Sequence, residues 1–399
     1  MVAAEPLTPA GRSRPGAAPL AALVAALALL GPGLLGMAGD NDAGGLLSYA
    51  ATGARFGAGH FVLLLLPLGA CALLVQDMAL RVGLATGHGL AGLVRARYSR
   101  TWAWLAGCDL AAQNWLTLVT EFAGMGVGLH HFGLPLPIAV AASCALVLGL
   151  VVAYPYRVAE RLGVGLGLAS LLFVPLALGV LHHGGAAVWA SRPAPGLRLF
   201  LVAAAGNALA PWMVFFQAQA SAGRPAGLAA GRWDLGAGAA VQVLVAAAVV
   251  VLGAAGLPAG RGGGLGADLF AVGLFDAGLV AALTVSLSTA WAVTETFGGI
   301  ARPGARAGEA PAFYAAYGLG VMLAAAAVLL PGLSPTAVAV AVQAASAVLL
   351  PPVLVLLLAL CNDPEVMPAH RNRPLGNTLG VLVIALFSAA SIWLLVGGL

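Results

Sequence analysis

The chain contains no lysine and few charged residues of any kind. Charged residues make up 8% of its 399 residues, against about 25% in an average soluble domain, whereas hydrophobic residues make up 61%. Such a composition cannot cover a water-soluble surface, so it predicts a polytopic membrane protein embedded in a lipid bilayer. The formal net charge of +4 comes from 18 arginines. We interpret this charge as the excess of arginine that is typical of cytoplasmic loops, and not as a sign of nucleic-acid binding.

Cysteine is also scarce, and its spacing excludes two classes of protein. The four cysteines, Cys71, Cys108, Cys144 and Cys361, lie apart in apolar segments and form no CxxC pair. This argues against both a disulfide framework and a thiolate metal site. A Gly-rich phosphate loop, an HExxH pair and a nucleophile elbow are missing as well. The sequence therefore favours neither an enzyme nor a resident cofactor.

Apolar stretches of about 20 residues predict eleven membrane-spanning helices. The predicted spans are 19–54, 59–80, 102–130, 134–154, 160–181, 197–222, 236–257, 266–300, 312–331, 334–360 and 376–398.

The chain is predicted to hold one transmembrane domain behind a short tail. We expect residues 1–17 to form a disordered cytoplasmic tail and 18–399 to form the domain. Within it, 18–181 and 197–360 are predicted repeats and 376–398 is an extra helix. No signal-peptide cleavage site follows a short apolar core, so the first helix is expected to stay in the protein.

The arginines assign a side of the membrane to each loop. With the N-terminus inside, most arginines fall in cytoplasmic segments, and only Arg55, Arg192, Arg198 and Arg261 fall outside. This asymmetry obeys the positive-inside rule, and an odd number of spans then places the C-terminus outside. The predicted location is a bacterial-type cytoplasmic membrane.

Two of the predicted helices are interrupted. The first contains Gly-Asp-Asn-Asp-Ala-Gly-Gly at 39–45, and the sixth contains Gly-Asn-Ala-Leu-Ala-Pro at 206–211, where Pro211 removes a backbone donor. Non-helical backbone at membrane depth survives only when it is buried in protein or lines a wet cavity. Broken helices five spans apart are typical of two inverted five-helix repeats that meet around a substrate.

Asp42 is the first candidate ligand in these breaks. A buried carboxylate requires a cation, and carbonyls freed near Gly39 and Asn207 would add neutral oxygen donors, which together describe a site for a hard cation. Only one of Asp40 and Asn41 is expected to join Asp42. Two alternatives stay open: Asp42 caps the second half-helix, and Asp40 faces the aqueous vestibule.

Other polar groups at membrane depth are candidates for a pathway. Glu121 lies in the third span, and a water-lined pathway and a structural hydrogen bond explain it equally well. Asp276 either belongs to the pathway or is a wet residue at its outer mouth. Gln217 is a further pathway candidate, and Gln343 is expected to close the ion site.

Several motifs resemble the NRAMP family of divalent-metal transporters. They are Gly-Pro-Gly at 31–33, Gly-Ala-Arg-Phe-Gly at 53–57, and the specific stretch 76–98, which contains Arg-Val-Gly-Leu-Ala-Thr-Gly at 81–87. The resemblance covers roughly residues 28–398. It implies an all-α membrane protein with the leucine-transporter-type fold, in which helices 1 and 6 are broken.

The departures from the family pattern concern the metal ligands. Gly45 stands where the family has an asparagine ligand, and Ala210 stands where it has a methionine. An oxygen site without a thioether suits Mg²⁺ or Mn²⁺, and the smaller residues leave room for retained water. The pattern resembles the NRAMP-related magnesium transporters. The implied ion site comprises Gly39, Asp40, Asn41, Asp42, Gly45, Asn207, Ala210 and Gln343.

The proton relay of the family is also reduced. Leu118, Trp212 and Gln217 replace titratable residues of the family, and only Glu121 remains. We therefore expect transport of Mg²⁺, and also Mn²⁺, without proton coupling. The nearest alternative is a conventional proton-coupled Mn²⁺ or Fe²⁺ transporter, followed by an amino-acid transporter of the same fold, a channel and, last, a membrane enzyme. The sequence leaves the oligomeric state open.

Overall fold

A computed structural model describes residues 30–182, 185–224, 227–257, 264–299, 308–368 and 370–397. The predicted tail 1–17 and the beginning of the first predicted span lie outside these ranges. Within them the protein is entirely helical. In chain order the helices are α1 (Pro32–Ala38), α2 (Ala43–Phe56), α3 (Gly59–Thr86), α4 (Leu90–Arg97), α5 (Arg100–His131), α6 (Leu136–Ala153), α7 (Tyr156–Ala169), α8 (Phe173–His182), α9 (Leu197–Ala208), α10 (Pro211–Ser221), α11 (Leu228–Ala254), α12 (Leu265–Thr296), α13 (Pro311–Val328), α14 (Pro335–Asn362) and α15 (Pro374–Val396).

These helices are consistent with the eleven predicted spans. By length and composition, nine helical segments of the described residues can cross a membrane, with α7–α8 and α9–α10 each counted as one. The other two predicted spans are the broken pair α1–α2 and the more polar α5. The short helix α4 was not predicted, and α3 continues to Thr86 rather than ending at residue 80.

Both predicted helix breaks are confirmed, and each has a local cause. After α1 the chain turns through Gly39, Asp40 and Asn41, and Asp42 then caps α2 with extended backbone and an acceptor bond from the Gly45 amide. In the second break Leu209 and Ala210 are extended, and Pro211 occupies the first turn of α10, where its missing N–H costs nothing.

Small residues let the helices that carry the two breaks pack closely against their neighbours. The helix α11 packs against α1 and α2, α12 lies along α5, and α9 lies along α14. A Cβ added to Gly206 would overlap the Gln343 carbonyl of α14, and one added to Gly53 would overlap the Val250 carbonyl of α11. These approaches need glycine and bring the breaks into one buried centre.

The N-terminus of α1 is held by side chains from elsewhere in the chain. The Asp234 carboxylate on α11 accepts hydrogen bonds from the amides of Gly31 (2.8 Å), Gly33 (2.7 Å) and Leu34 (2.9 Å). Beside it, Arg224 and Glu160 form an ion pair. Since these amides lack partners within the helix, Asp234 satisfies them and fixes the half-helix that ends at the first break.

Candidate metal centre

The Asp42 carboxylate lies at the centre of the first break. It is 2% exposed and accepts hydrogen bonds from the Gly45 amide and from Gln343 Nε2, whose distances to the two carboxylate oxygens are 3.0 and 3.3 Å. The structure thus brings Asp42 and Gln343 together, as the sequence-based site requires. The cap on α2 and a ligand role are compatible, because a carboxylate offers more lone pairs than these donors occupy.

Asn207 approaches Asp42 from the second break. Its Nδ2 donates to the Gly45 carbonyl at 3.3 Å, whereas its buried Oδ1 has no hydrogen-bond partner. A Cβ added to Gly45 would lie 2.9 Å from Asp42 Oδ1 and would overlap Asn207 Oδ1, so the two oxygens are neighbours. Two adjacent buried acceptors without a donor between them are an arrangement that a cation completes.

The Asn207 amide also occupies the space of the asparagine that the family resemblance implies at position 45. Both amide atoms of Asn207 lie against the point where a side chain on Gly45 would begin. An amide is therefore present at this place, although α9 supplies it instead of α2.

Glu121 on α5 accepts a hydrogen bond from the first turn of α2. Its Oε2 accepts from the Ala43 amide at 2.8 Å, and its Oε1 accepts from Thr120 Oγ1 at 3.0 Å. The Ala43 amide belongs to the residue directly after Asp42, so the Glu121 carboxylate binds the same helix end that Asp42 caps. Glu121 thus has a structural hydrogen bond beside the candidate ligand.

The side chains of Asp40 and Asn41 both bind Gln242 on α11. Gln242 Nε2 donates to Asp40 Oδ2 and, at 2.9 Å, to the Ala208 carbonyl, while Asn41 Nδ2 donates to the Gln242 carbonyl at 3.0 Å. Gln242 therefore links the two breaks to each other. Sequence reasoning missed this residue, although a glutamine within the apolar run of α11 was a signal that could have found it.

A thioether lies closer to the second break than the sequence predicted. Ala210 itself carries no sulfur, but Met213 folds back over the first turn of α10, and its Sδ accepts the Ala210 amide at 3.4 Å. The Met213 sulfur therefore lies beside the second break, at a position that the comparison with the family pattern did not cover. The spacing of three residues, which places both groups on one turn, was visible in the sequence.

The remaining candidates are more distant from Asp42. Gly39 ends α1, and a Cβ on it would lie 3.2 Å from Thr284 Oγ1 of α12. Gln217 Nε2 donates to Ser221 Oγ at 2.9 Å within α10. Asp276 is buried on α12 and neither carboxylate oxygen has a partner among the described residues. Eight residues separate it from Thr284, which is about 12 Å of helix.

A vestibule begins about one turn beyond the site. It has a volume of about 330 Å³ and lies between the ends of α2, α5, α11 and α12, with mostly apolar walls. Its deepest residue on α2 is Leu47, five residues after Asp42 and therefore about 7.5 Å further along the axis. This end of the molecule offers an approach to the site, whereas Asp234 closes the opposite end.

Solved structures of membrane transporters share this architecture. The manganese transporter of Eremococcus coleocola superimposes with a TM-score of 0.76 at 18% identity, covering 96% of this chain and 88% of that one. MhsT in complex with L-phenylalanine gives a TM-score of 0.64 at 14% identity, covering 92% and 98%. Mhp1, a nucleobase-cation-symport-1 family transporter, gives 0.61 at 12%, covering 91% and 92%. Identities this low show the fold alone.

Sequence relatives match shorter stretches of the chain. The divalent metal cation transporter MntH of Deinococcus radiodurans is 25% identical over 210 residues, which is 50% of this chain and 47% of the relative. The MntH of Chromohalobacter salexigens is 34% identical over 112 residues, 27% of this chain and 25% of the relative. The matched stretches thus span at most about half of these relatives.

The broken helices and the buried centre between them define an all-α integral membrane protein of the leucine-transporter-type fold. The family model "Natural resistance-associated macrophage protein-like" matches residues 33–397. The chain therefore belongs to the Nramp family, whose members are membrane transporters and not enzymes.

Proposed function

We propose that this protein carries divalent cations, Mg²⁺ and also Mn²⁺, across the membrane by alternating access. The observation that carries the proposal is the pair of buried oxygens, Asp42 Oδ1 and the unpartnered Asn207 Oδ1, between two broken helices. The MntH relatives are divalent metal cation transporters, which supports the same class of substrate.

The donor set favours a hard cation that keeps part of its water. The neighbours of Asp42 carry oxygen and nitrogen, and Gln343 can offer its amide oxygen to a cation by rotating. Gly45 and Ala210 add no side chain beyond Cβ, which leaves space for water molecules.

The arrangement opposes an amino-acid substrate. In transporters of this fold an anionic carboxylate binds at the N-terminus of a half-helix. In this chain the N-terminus of α2 is already occupied by the Asp42 and Glu121 carboxyl groups. A second anion there would meet negative charge in a buried place.

The test is uptake of Mg²⁺ and Mn²⁺ into proteoliposomes. We expect saturable uptake of both ions by the natural chain and none by Asp42→Asn, because the substitution removes the charge that holds the ion. Glu365→Gln, at an exposed carboxylate that pairs with Arg97, is the matched control and should transport normally. Undiminished uptake by Asp42→Asn would reject the site.

One observation favours a proton-coupled Mn²⁺ or Fe²⁺ transporter as the second candidate. The Met213 sulfur lies at the second break, 3.4 Å from the Ala210 amide nitrogen, and a thioether is a ligand that soft transition metals prefer. Strong inhibition of uptake by Cd²⁺, abolished in Met213→Leu, would identify the sulfur as a ligand and support this candidate. Weak inhibition that Met213→Leu leaves unchanged would support the oxygen site.

The orientation also belongs to the proposal. With the N-terminus in the cytoplasm, the end tied by Asp234 faces inward and the vestibule faces outward. Most arginines then lie on the cytoplasmic side, as the positive-inside rule requires.

A further inference from the structure

A groove with a charged mouth lies on the side of the molecule, away from the candidate metal centre. The helices α3, α11 and α15 enclose a volume of about 660 Å³. Its walls are apolar residues of all three helices, among them Leu74, Leu235 and Leu382, and its one polar end is formed by Asp77 and Arg232. Leu382 is 58% exposed, so the groove opens toward the surroundings of the helix bundle.

The mouth of the groove carries an excess of positive charge. Asp77 accepts from Arg81 Nε at 3.0 Å and from Arg232 Nε at 2.6 Å, so one carboxylate faces two guanidinium groups. Arg81 has further acceptors in the 370–372 segment, whereas Arg232 donates only to Asp77 among the described residues and its side chain is 54% exposed. Arg371 lies in this segment and Arg373 directly follows it, and both are exposed.

The dimensions of the groove correspond to one leaflet of a bilayer. From Ala70 to Asp77 the groove follows α3 for seven residues, about 10 Å, whereas half of a hydrocarbon core is about 15 Å. Trp233, which follows Arg232 and is 54% exposed, marks the depth of the lipid headgroups, where exposed tryptophan is favoured.

We propose that this groove binds an anionic phospholipid, with its phosphate at Arg232 and an acyl chain along the apolar wall. A guanidinium group with free donors recognises phosphate oxygens, and the unbalanced positive charge selects a lipid of net negative charge over a zwitterionic one. The bound lipid would join α15 to α3 and α11. The proposal does not depend on the transported ion.

The experiment uses the full chain in nanodiscs of equal parts phosphatidylglycerol and phosphatidylcholine. After transfer to detergent, native mass spectrometry counts the phospholipids that each chain retains. We expect the natural chain to retain phosphatidylglycerol preferentially and Arg232→Gln to retain it about fivefold less, the effect of one arginine near an anionic headgroup. Arg232→Lys should keep most of the preference, because it keeps the charge.

Two matched controls separate the groove from the rest of the surface. Arg161→Gln removes an exposed arginine on α7, and Leu323→Trp enlarges a residue of α13 that is as exposed as Leu382, at 58%. Both should retain lipid normally, whereas Leu382→Trp should lose it by filling the groove. Equal retention of the two lipids by the natural chain, or equal loss in Arg232→Gln and Arg161→Gln, would overturn the proposal.

Discussion

The Asp42 carboxylate has two roles: it caps the N-terminus of α2, and it is the first candidate ligand of the ion site. As a cap it satisfies the Gly45 amide, and caps of this kind contribute about 1 kcal/mol. Asparagine caps a helix about as well as aspartate does. The variant Asp42→Asn therefore removes charge while it keeps the fold, which makes it more informative than alanine at this position.

Asn207 provides the sharpest prediction at the scale of single residues. We expect Asn207→Ala to weaken the apparent affinity for Mg²⁺ roughly ten- to a hundredfold, because it removes the unpaired oxygen beside Asp42. Adding Gly45→Asn to that variant should restore much of the affinity, since the new amide enters the space that Asn207 leaves. Isothermal titration calorimetry measures both changes.

Two control variants add or remove an amide side chain at other positions. Gly45→Asn alone should lose binding, because the new side chain overlaps the amide that is present. Asn114→Ala removes a buried amide that bonds to Thr289 at 2.8 Å and should leave Mg²⁺ affinity unchanged. If the double variant binds no better than Asn207→Ala, the amide of residue 207 is not a ligand that position 45 can replace.

At the scale of elements, α1 is the short half-helix whose ends are both held by polar contacts. Its first amides bond to Asp234, and its last turn leads to the turn that Gln242 binds. A helix of this length is marginal by itself, so its position depends on these bonds and on its buried packing. Alternating access requires one end of the site to open, and loss of the Asp234 contacts is the change that would free α1.

Hydrogen exchange tests this attachment. We expect Asp234→Ala to accelerate amide exchange of the segment 31–38 roughly ten- to a hundredfold, because three amides lose a charged acceptor. Mass spectrometry of the peptides reports the rate. Asp268→Ala, at an exposed carboxylate on α12, is the control and should leave the segment unchanged. Unaltered exchange in Asp234→Ala would show that packing alone holds α1.

The sequence predicted these breaks because their local causes are strong. An acidic turn within an apolar helix interrupts the first predicted span, and Pro211, five residues after Gly206, interrupts the sixth. Gln242 was not predicted, because its importance depends on α11 packing against both breaks. The extension of α3 to Thr86 and the short helix α4 were missed for a related reason. Polar residues such as Arg81 and Thr86 are typical of a loop, and only the structure shows their hydrogen-bond partners.

At the scale of the whole molecule, the two ends of the site differ. One end meets a vestibule of about 330 Å³, and the other is closed by Asp234 and the Arg224–Glu160 ion pair. The fold class and the grouping of Asp42 with Gln343 were predictable from the broken helices. The hydrogen bonds of Asp40 and Asn41 to Gln242 were not predictable, because they depend on how α11 packs against the turn.

The proposed driving force leads to a prediction for proteoliposomes. Two charges that cross about 100 mV release roughly 4.6 kcal/mol, which can drive uptake without a proton gradient. Leu118, Trp212 and Gln217 offer no titratable route beyond Glu121, so we expect Mg²⁺ uptake to follow an imposed potential without acidifying the lumen. A pH-sensitive dye measures the lumen. Acidification that disappears in Glu121→Gln would contradict the expectation and support proton coupling.

The central claim is that Asp42 holds a divalent cation between the two breaks, and electron paramagnetic resonance of Mn²⁺ tests it most directly. The natural chain should remove Mn²⁺ from the free signal and release it when Mg²⁺ is added. Asp42→Asn should bind none, while its unfolding temperature stays close to that of the natural chain because the cap on α2 is kept. Mn²⁺ binding by Asp42→Asn with undiminished affinity would contradict the account.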